Sequence, residues 1–151
     1  MAKKLLIVYY SGTGNTEAMA RATHEGALAA GAVAVLKTAT DTTPSDLLDC
    51  DAVIFGTPNY FGYMAGWVKE LFDRSWNILK DEAANKPYSA FTSAQSGKSD
   101  ALTSIDGICD TFNRRTQFKF AKAFEGVVAK AKPSPEVLEE CRQLGRKMAS
   151  L

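Results

Sequence analysis

The amino-acid sequence predicts an α/β doubly wound domain, with five strands in a mostly parallel sheet and helices on both faces. Strand-length apolar runs alternate with stretches whose apolar residues recur every three or four positions. The first run, Leu5–Tyr10, is apolar throughout, as is typical of a strand buried on both faces of a parallel sheet. Since 46% of the 151 residues are hydrophobic, we expect one compact domain that spans residues 1–151.

The first half of the chain contains three of the predicted strands. The predicted order is strand Leu5–Tyr10, helix Asn15–Ala30, strand Ala32–Leu36 and strand Asp51–Gly56. The helix is rich in alanine, and Gly31 supplies its stop because glycine readily adopts the conformation that ends helices. The connection between the second and third strands is polar and contains Pro44.

The second half continues the alternation. An apolar stripe predicts a second helix through Met64, Val68, Leu71, Phe72, Trp76 and Leu79. The elements that follow are strand Lys86–Ser93, helix Ser99–Phe112 and strand Gln117–Val128. A last helix begins after Pro133 and Pro135, and its apolar face is formed by Val137, Cys141, Leu144, Met148 and Leu151.

Charge and hydropathy exclude several classes of function. Lysine and arginine total 18 and aspartate and glutamate 17, so the formal charge is +1, and nucleic acid is not expected as a partner. The longest apolar stretch is too short to span a bilayer, so no integral membrane segment is predicted. A strand that starts near Lys3 leaves no room for a signal peptide, which leads us to expect a cytoplasmic protein.

Neither metal binding nor acid–base catalysis has a candidate set of residues in the sequence. Cys50, Cys109 and Cys141 are widely spaced and odd in number, so we interpret them as core residues rather than as disulfides or zinc ligands. His24, the single histidine, falls in the middle of a helix and is expected to be solvated. If the protein carries out a reaction, a bound group is therefore expected to supply the chemistry.

Ligands of doubly wound sheets bind beyond the carboxyl ends of the strands, where the strand order reverses. Three predicted loops lie at that edge. They are the first loop, Ser11–Thr16, the second loop, Thr57–Gly66, and the third loop, Ser93–Lys98.

The first loop has the composition of an anion-binding site. Its members are hydroxyl, amide or glycine residues, namely Ser11, Gly12, Thr13, Gly14, Asn15 and Thr16. The helix that follows directs free N–H groups and the positive end of its dipole at the loop. The loop lacks the lysine of a P-loop, and Glu17 stands where a dinucleotide fingerprint has its third glycine. The ligand that remains possible is a terminal phosphate monoester. The alternative is that the segment binds no ligand and is an ordinary capped helix preceded by turn glycines.

The first loop resembles the phosphate loop of flavodoxins, which bind flavin mononucleotide (FMN) noncovalently. Residues 56–66 resemble the Gly-Thr-Pro-x-x-Phe-Gly-x-Met segment of the flavodoxin-like NAD(P)H:quinone oxidoreductases, the tryptophan-repressor-binding-protein group. The resemblance covers most of the chain. It implies FMN as the cofactor and a flavodoxin-like sheet with the strand order 2-1-3-4-5.

The second loop offers an apolar wall and backbone groups for a flavin ring. Its predicted cofactor-binding residues are Pro58, Asn59, Tyr60, Phe61 and Gly62. The resemblance implies that Asn59, Tyr60 and Phe61 contact the ribityl chain and the ring, and that Gly62 can change its peptide orientation. The alternative is that the aromatic side chains are core residues, and for Tyr63 both interpretations stay open. Trp67 and Trp76 are expected to pack against the helix that carries them.

The third loop departs from the flavodoxin pattern because it contains no aromatic residue. Its predicted cofactor-binding residues are Ser93, Ala94, Gln95, Ser96 and Gly97. The second flavin face is therefore expected to be open, or covered by something outside the chain, and an open face suits hydride donation from a nicotinamide. Lys98 and the near-neutral charge also differ from the acidic surroundings of carrier flavodoxins.

Three functions remain open from the sequence. The first is an FMN-binding redox protein that passes electrons from NAD(P)H or a protein donor to a quinone or a similar acceptor. The second is a one-electron carrier flavodoxin that serves protein partners, and the third is a flavin-free interaction module. A homo-oligomer is compatible with each of them.

Overall fold

The computed structural model describes residues 2–151 and contains helices and strands in alternation. The strands are β1 (Lys4–Tyr9), β2 (Val33–Thr38), β3 (Ala52–Tyr60), β4 (Tyr63–Met64), β5 (Ala84–Ala94), β6 (Phe118–Lys122) and β7 (Val127–Lys130). The helices are α1 (Asn15–Ala29), α2 (Pro44–Asp49), α3 (Gly66–Leu79), α4 (Asp100–Arg115) and α5 (Pro135–Ala149).

The sheet has the predicted doubly wound architecture. The strand order is β2-β1-β3-β5-β6, and all of these neighbours are parallel. β7 continues beyond β6 along the same side of β5, so β6 and β7 together fill the fifth position. The order of the five positions is thus 2-1-3-4-5, and it reverses between β1 and β3, where a ligand crevice is expected.

Two hydrophobic cores cover the two faces of the sheet. Alternate residues of β1 point to opposite sides, with Ile7 in the core under α1 and α5 and Val8 in the core under α3 and α4. This division explains why the first strand is apolar at successive positions. The second core is rich in phenylalanine, and Phe55, Phe72 and Phe120 contact one another there.

The prediction for the second loop was wrong in its boundaries. β3 continues to Tyr60, and β4 pairs back on it, with Asn59 opposite Met64 and Tyr60 opposite Tyr63. The segment is therefore a hairpin, which we call the aromatic hairpin (Asn59–Met64), and Met64 belongs to it rather than to the helix. Pairing with β5 keeps the backbone of Thr57 and Pro58 extended, and no local sequence pattern predicts that the strand continues through them.

Strand five was predicted as one segment, Gln117–Val128, but two strands occupy it. The chain leaves the sheet between β6 and β7, where Gly126 approaches β5 so closely that an added Cβ would lie 2.6 Å from the Ala90 carbonyl oxygen. The short helix α2 was missed, although Thr43 and Asp46 form a capping box and Pro44 takes the first helical position. These signals are visible in the sequence.

Smaller differences concern single residues. His24 is half-buried and its Nε2 lies 3.0 Å from the Ala34 carbonyl oxygen, so it is not the solvated side chain that was expected. Leu151 lies beyond the end of α5 and is exposed, instead of joining the apolar face of that helix. The three cysteines are buried and unpaired, as predicted. Within residues 2–151, no helix is both long and apolar enough to cross a membrane.

Candidate functional site

Residues from all three predicted loops meet at the carboxyl edge of the sheet, around a cavity of about 130 Å³. Its lining consists of Gly12, Thr13, Asn15, Thr16, Pro58, Asn59, Tyr60, Ser93, Ala94, Gln95 and Ala131. The other predicted residues, Ser11, Gly14, Phe61, Gly62, Ser96 and Gly97, lie in the turns around it. Ala131 was missed because an alanine between two lysines carries no sequence signal.

The first loop is a tight turn that Ser11 holds in shape. The Ser11 Oγ accepts hydrogen bonds from the N–H of Gly14, at 3.1 Å, and from the N–H of Glu17, at 3.2 Å. Gly14 adopts a φ of 99°, a conformation that glycine takes without a steric penalty. Ser11 therefore shapes the turn through its oxygen, and its predicted role as a donor to the ligand stays a prediction.

Four backbone N–H groups of this loop are free to bind an anion. Among residues 2–151, no acceptor is hydrogen-bonded to the backbone N–H of Gly12, Thr13, Asn15 or Thr16. They lie at the start of α1, where the helix dipole adds a partial positive charge. Neutral N–H donors clustered at a helix start suit a phosphate, and Gly12 and Thr13 are exposed and accessible to one.

A buried hydrogen bond joins the first loop to the third. The Oγ1 of Thr16 and the Oγ of Ser93 are 2.8 Å apart, and both residues are buried. Thr16 lies on α1 and Ser93 near the end of β5, so this contact fixes the distance between the two loops. The two loops are thereby joined by a direct contact between two residues that line the cavity.

The aromatic hairpin turns at two residues with positive φ, Phe61 at 57° and Gly62 at 75°. This is the backbone pattern of a type I′ turn, which suits two-residue hairpins. The Asn59 Oδ1 accepts a hydrogen bond from the Gly62 N–H at 2.9 Å, and the Met64 N–H donates to Ser104 on α4 at 3.0 Å. The hairpin is thus anchored, while the Phe61 side chain at its tip is fully exposed.

Further aromatic side chains line the base of the hairpin. Tyr10 stacks on Trp67 with ring centroids 4.5 Å apart, and it meets Tyr60 edge-on at 6.3 Å. The hydroxyl of Tyr60 lies over Gly12, where any Cβ would collide with it. Burial is the largest cause that raises the pKa of Tyr60, and Tyr10 adds to it, so Tyr60 is neutral at physiological pH. Trp67 is 48% exposed, and the prediction that it is a packing residue rather than a flavin partner stays a prediction.

The third loop turns at Gly97, which has a φ of 73°. The Gly97 N–H donates to the Ala94 carbonyl at 3.1 Å, and the Ala131 N–H donates to the same oxygen at 2.8 Å. Gln95 and Ser96 are exposed. The outer side of the cavity is therefore lined by small and polar groups, and the third loop provides no aromatic side chain to cover it.

The chemistry of the donor set fits FMN. Four free N–H groups match one terminal phosphate, and exposed aromatic rings stand beside them. The cavity is smaller than the roughly 300–1,000 Å³ of typical ligand pockets, so it suits the phosphate end with the ring at the rim. Within the described residues, no group of three or more His, Cys, Asp or Glu side chains could hold a metal ion.

Known proteins resemble this chain in sequence and in structure. The curated NAD(P)H dehydrogenase (quinone) 3 of Rhizobium meliloti is 33% identical in an alignment 114 positions long, and the match covers 62% of this chain and 54% of that protein. The chain thus spans about half the length of that curated relative. A solved flavodoxin from the Archaea superposes with a TM-score of 0.80 at 22% identity, with 97% of this chain and 96% of that one covered.

A second solved structure, the flavodoxin, WrbA-like protein from Agrobacterium tumefaciens, matches with a TM-score of 0.79 at 25% identity. That match covers 99% of this chain and 96% of the other. The family profile described as flavodoxin matches residues 7–145, which is most of the chain. These matches agree with the doubly wound sheet and with the donor set at its carboxyl edge. The protein belongs to the flavodoxin family, and its cofactor is FMN.

Proposed function

We propose that this protein is an oxidoreductase that takes electrons from NAD(P)H and passes them, by way of FMN, to a quinone. The third loop carries the proposal, because its exposed side chains are small or polar and leave the outer flavin face open to a second ring. NAD(P)H gives up a hydride, which is two electrons and one proton. A quinone that takes up two electrons and two protons becomes a hydroquinone, so one further proton comes from solvent.

The residues of the three loops divide the binding of FMN between them. In this proposal the phosphate accepts hydrogen bonds from the free N–H groups of the first loop and from the Thr13 hydroxyl. Asn59 and Tyr60 contact the ribityl chain, and Phe61 provides an aromatic wall for the ring. Bound FMN supplies a group that can accept and donate a hydride or single electrons.

Backbone groups complete the binding of the ring. Glycine tolerates both signs of φ, so the peptide at Gly62 can reorient once its N–H leaves the Asn59 Oδ1. Backbone and side-chain groups of Ser93, Ala94, Gln95, Ser96 and Gly97 face the polar edge of the ring. In this proposal, residues 1–151 form a single FMN-binding domain.

Two further observations support a nicotinamide donor and a quinone acceptor. The relative from Rhizobium meliloti is named for NAD(P)H and quinone, and it shares 33% identity over the aligned residues. The formal charge of this chain is +1, and the first loop and the aromatic hairpin contain no acidic residue. Asp100, whose side chain approaches Gly62, is the acidic residue that an anionic donor would meet there.

A one-electron carrier is the second candidate, because one observation favours it. The flavodoxin family profile matches residues 7–145, whereas the match to the quinone dehydrogenase covers 62% of this chain. A carrier would exchange electrons with protein partners and would not need NAD(P)H.

Anaerobic mixing separates the two candidates. The purified protein is loaded with FMN, and NADH or NADPH is added while the absorption of the oxidised flavin is followed. We expect the flavin band to bleach with a nicotinamide and to return when a benzoquinone is added. Failure of both nicotinamides, with ready reduction by a protein donor, would favour the carrier. A protein that stays colourless with excess FMN would instead be the flavin-free module.

A further inference from the structure

Three lysines with unpaired side chains lie together beside the third loop. Within residues 2–151, the ammonium groups of Lys98, Lys130 and Lys132 take part in no ion pair or hydrogen bond, and all three residues are exposed. Lys37 and Lys122 differ, because carboxylates pair with both of them. We call Lys98, Lys130 and Lys132 the lysine rim.

The fold brings the lysine rim together from two segments. Lys98 follows the turn of the third loop, and Lys130 is the last residue of β7. The side chain of Lys130 packs on Gly97, since a Cβ there would lie 3.3 Å from its Cβ and Cγ. Lys132 follows two residues later, and Ala131 between the two lysines lines the cavity.

The rim lies outside the cavity that would hold the FMN phosphate. None of its three residues is among the cavity lining, whereas the free N–H groups of the first loop are inside it. The positive charges are thus available to a second anion, one that approaches along the open side of the third loop. Exposed lysines without counter-charges attract such an anion over several ångströms.

We propose that the lysine rim binds the phosphate groups of the nicotinamide dinucleotide and makes NADPH the preferred donor. This inference rests on the proposed function, in which the nicotinamide ring stacks on the flavin face left open by the third loop. The rest of the dinucleotide then extends past this loop, and its phosphates meet the lysines. NADPH carries one phosphate more than NADH and gains more from the same charges.

The chain offers a control that removes the same charge elsewhere. The ammonium groups of Lys3, Lys4 and Lys80 also have no partner among the described residues, and these lysines lie at the opposite, amino edge of the sheet. One variant changes Lys98, Lys130 and Lys132 to Gln, and the control changes Lys3, Lys4 and Lys80 to Gln. The two variants have equal net charge.

The first measurement is binding of 2′,5′-ADP and of 5′-AMP to the FMN-loaded proteins by calorimetry. We expect the rim variant to bind 2′,5′-ADP roughly tenfold more weakly, the size expected from a few exposed ion pairs, with a smaller change for 5′-AMP. The KM for NADPH should rise more than the KM for NADH. Higher salt should reduce the preference of the unmodified protein, because exposed charges are screened. The control variant should behave like the unmodified protein.

Three results would overturn the inference. One is an equal loss of binding in both variants, which would show a general effect of net charge. Another is weaker FMN binding with unchanged riboflavin binding in the rim variant, which would assign the lysines to the cofactor phosphate. The third is no change in binding of 2′,5′-ADP. If neither nicotinamide reduces the unmodified flavoprotein, the proposed function fails, whereas the 2′,5′-ADP measurement still reports on the rim.

Discussion

At the scale of single residues, Phe61 is held against its conformational preference. Its φ of 57° belongs to the left-handed region, which costs a residue with a Cβ about 1–2 kcal/mol. The side chain is fully exposed, so no packing within the described residues offsets this cost. Strain that is kept at an exposed aromatic residue indicates a role in binding.

The change Phe61→Asn should separate stability from binding. It places Asn before Gly62, the pair that type I′ turns favour, and so should stabilise the apoprotein by about 0.5–1 kcal/mol. FMN affinity should fall, since the ring loses an aromatic contact that contributes about 1 kcal/mol or more. Urea unfolding of the apoprotein and fluorescence titration with FMN measure the two effects. Unchanged FMN affinity would mean that Phe61 does not contact the ring.

Two threonines of the first loop have different environments. The Thr13 hydroxyl is exposed and has no hydrogen-bond partner within the described chain, whereas the Thr16 hydroxyl is buried against Ser93. From the sequence alone, both threonines were predicted to bind the phosphate. The structure assigns Thr16 a part in joining the two loops.

Replacing each threonine by Ala should therefore give different results. Thr13→Ala should weaken FMN binding roughly ten- to hundredfold, because a hydrogen bond to a charged group is worth about 1.5–3 kcal/mol, and should leave riboflavin binding unchanged. Thr16→Ala should lower the free energy of unfolding by about 1–3 kcal/mol, because the buried Ser93 hydroxyl loses its partner. Thr16→Ser is the control for the second effect. Equal losses for FMN and riboflavin in Thr13→Ala would remove Thr13 from the phosphate site.

At the scale of elements, α1 and α5 pack backbone against backbone. Gly26 of α1 faces the carbonyl of Arg142, and Gly145 of α5 faces the carbonyl of Thr23, so that a Cβ at either glycine would collide with main-chain atoms. Backbone atoms cannot move aside as the end of a flexible side chain can. α5 in turn packs on β7, which ends beside the cavity.

Gly145→Ala should accordingly destabilise the protein by about 3 kcal/mol, because the two helices must separate. The matched control is Gly107→Ala in α4, where an added Cβ meets nothing within 4 Å. That change should stabilise the protein by about 0.5–1 kcal/mol, since alanine is the better helix former. Urea unfolding measures both. Equal effects of the two substitutions would contradict the close packing of α1 and α5.

At the scale of the whole molecule, binding of FMN should be coupled to folding. The cavity takes residues from the first loop, the aromatic hairpin and the third loop, together with Ala131, so it exists when the sheet is assembled. A ligand that binds the folded state alone stabilises it in proportion to the logarithm of its concentration over Kd. The contribution of the phosphate contacts to FMN affinity should therefore be measurable as a rise in Tm.

FMN at 100 times its Kd should add about 2.7 kcal/mol of stability, a rise in Tm of roughly 5–10 °C for a domain of this size. Riboflavin at the same concentration should raise Tm much less, because it has no phosphate for the free N–H groups. Differential scanning calorimetry with each flavin makes the comparison. Equal shifts with the two flavins would remove the first loop as the phosphate site.

Local sequence determined the architecture and the position of the site. The apolar run of β1 requires burial on both faces, and alternation with helix-period segments leads to a doubly wound sheet, whose ligands bind at the carboxyl edge of the strands. Ser11–Thr16 indicated an anion site because glycines, hydroxyls and a helix start carry that chemistry within six neighbouring residues. Such features depend on contacts between residues close in sequence.

Tertiary structure decided the features that depend on distant contacts. Pairing of β3 with β5 and β4 turned the second loop into a hairpin, and the approach of Gly126 to β5 divided the fifth strand. The bond between Thr16 and Ser93 and the packing of Lys130 on Gly97 join residues 77 and 33 positions apart. No local pattern encodes them, because they form when the sheet brings the ends of non-adjacent strands to one edge.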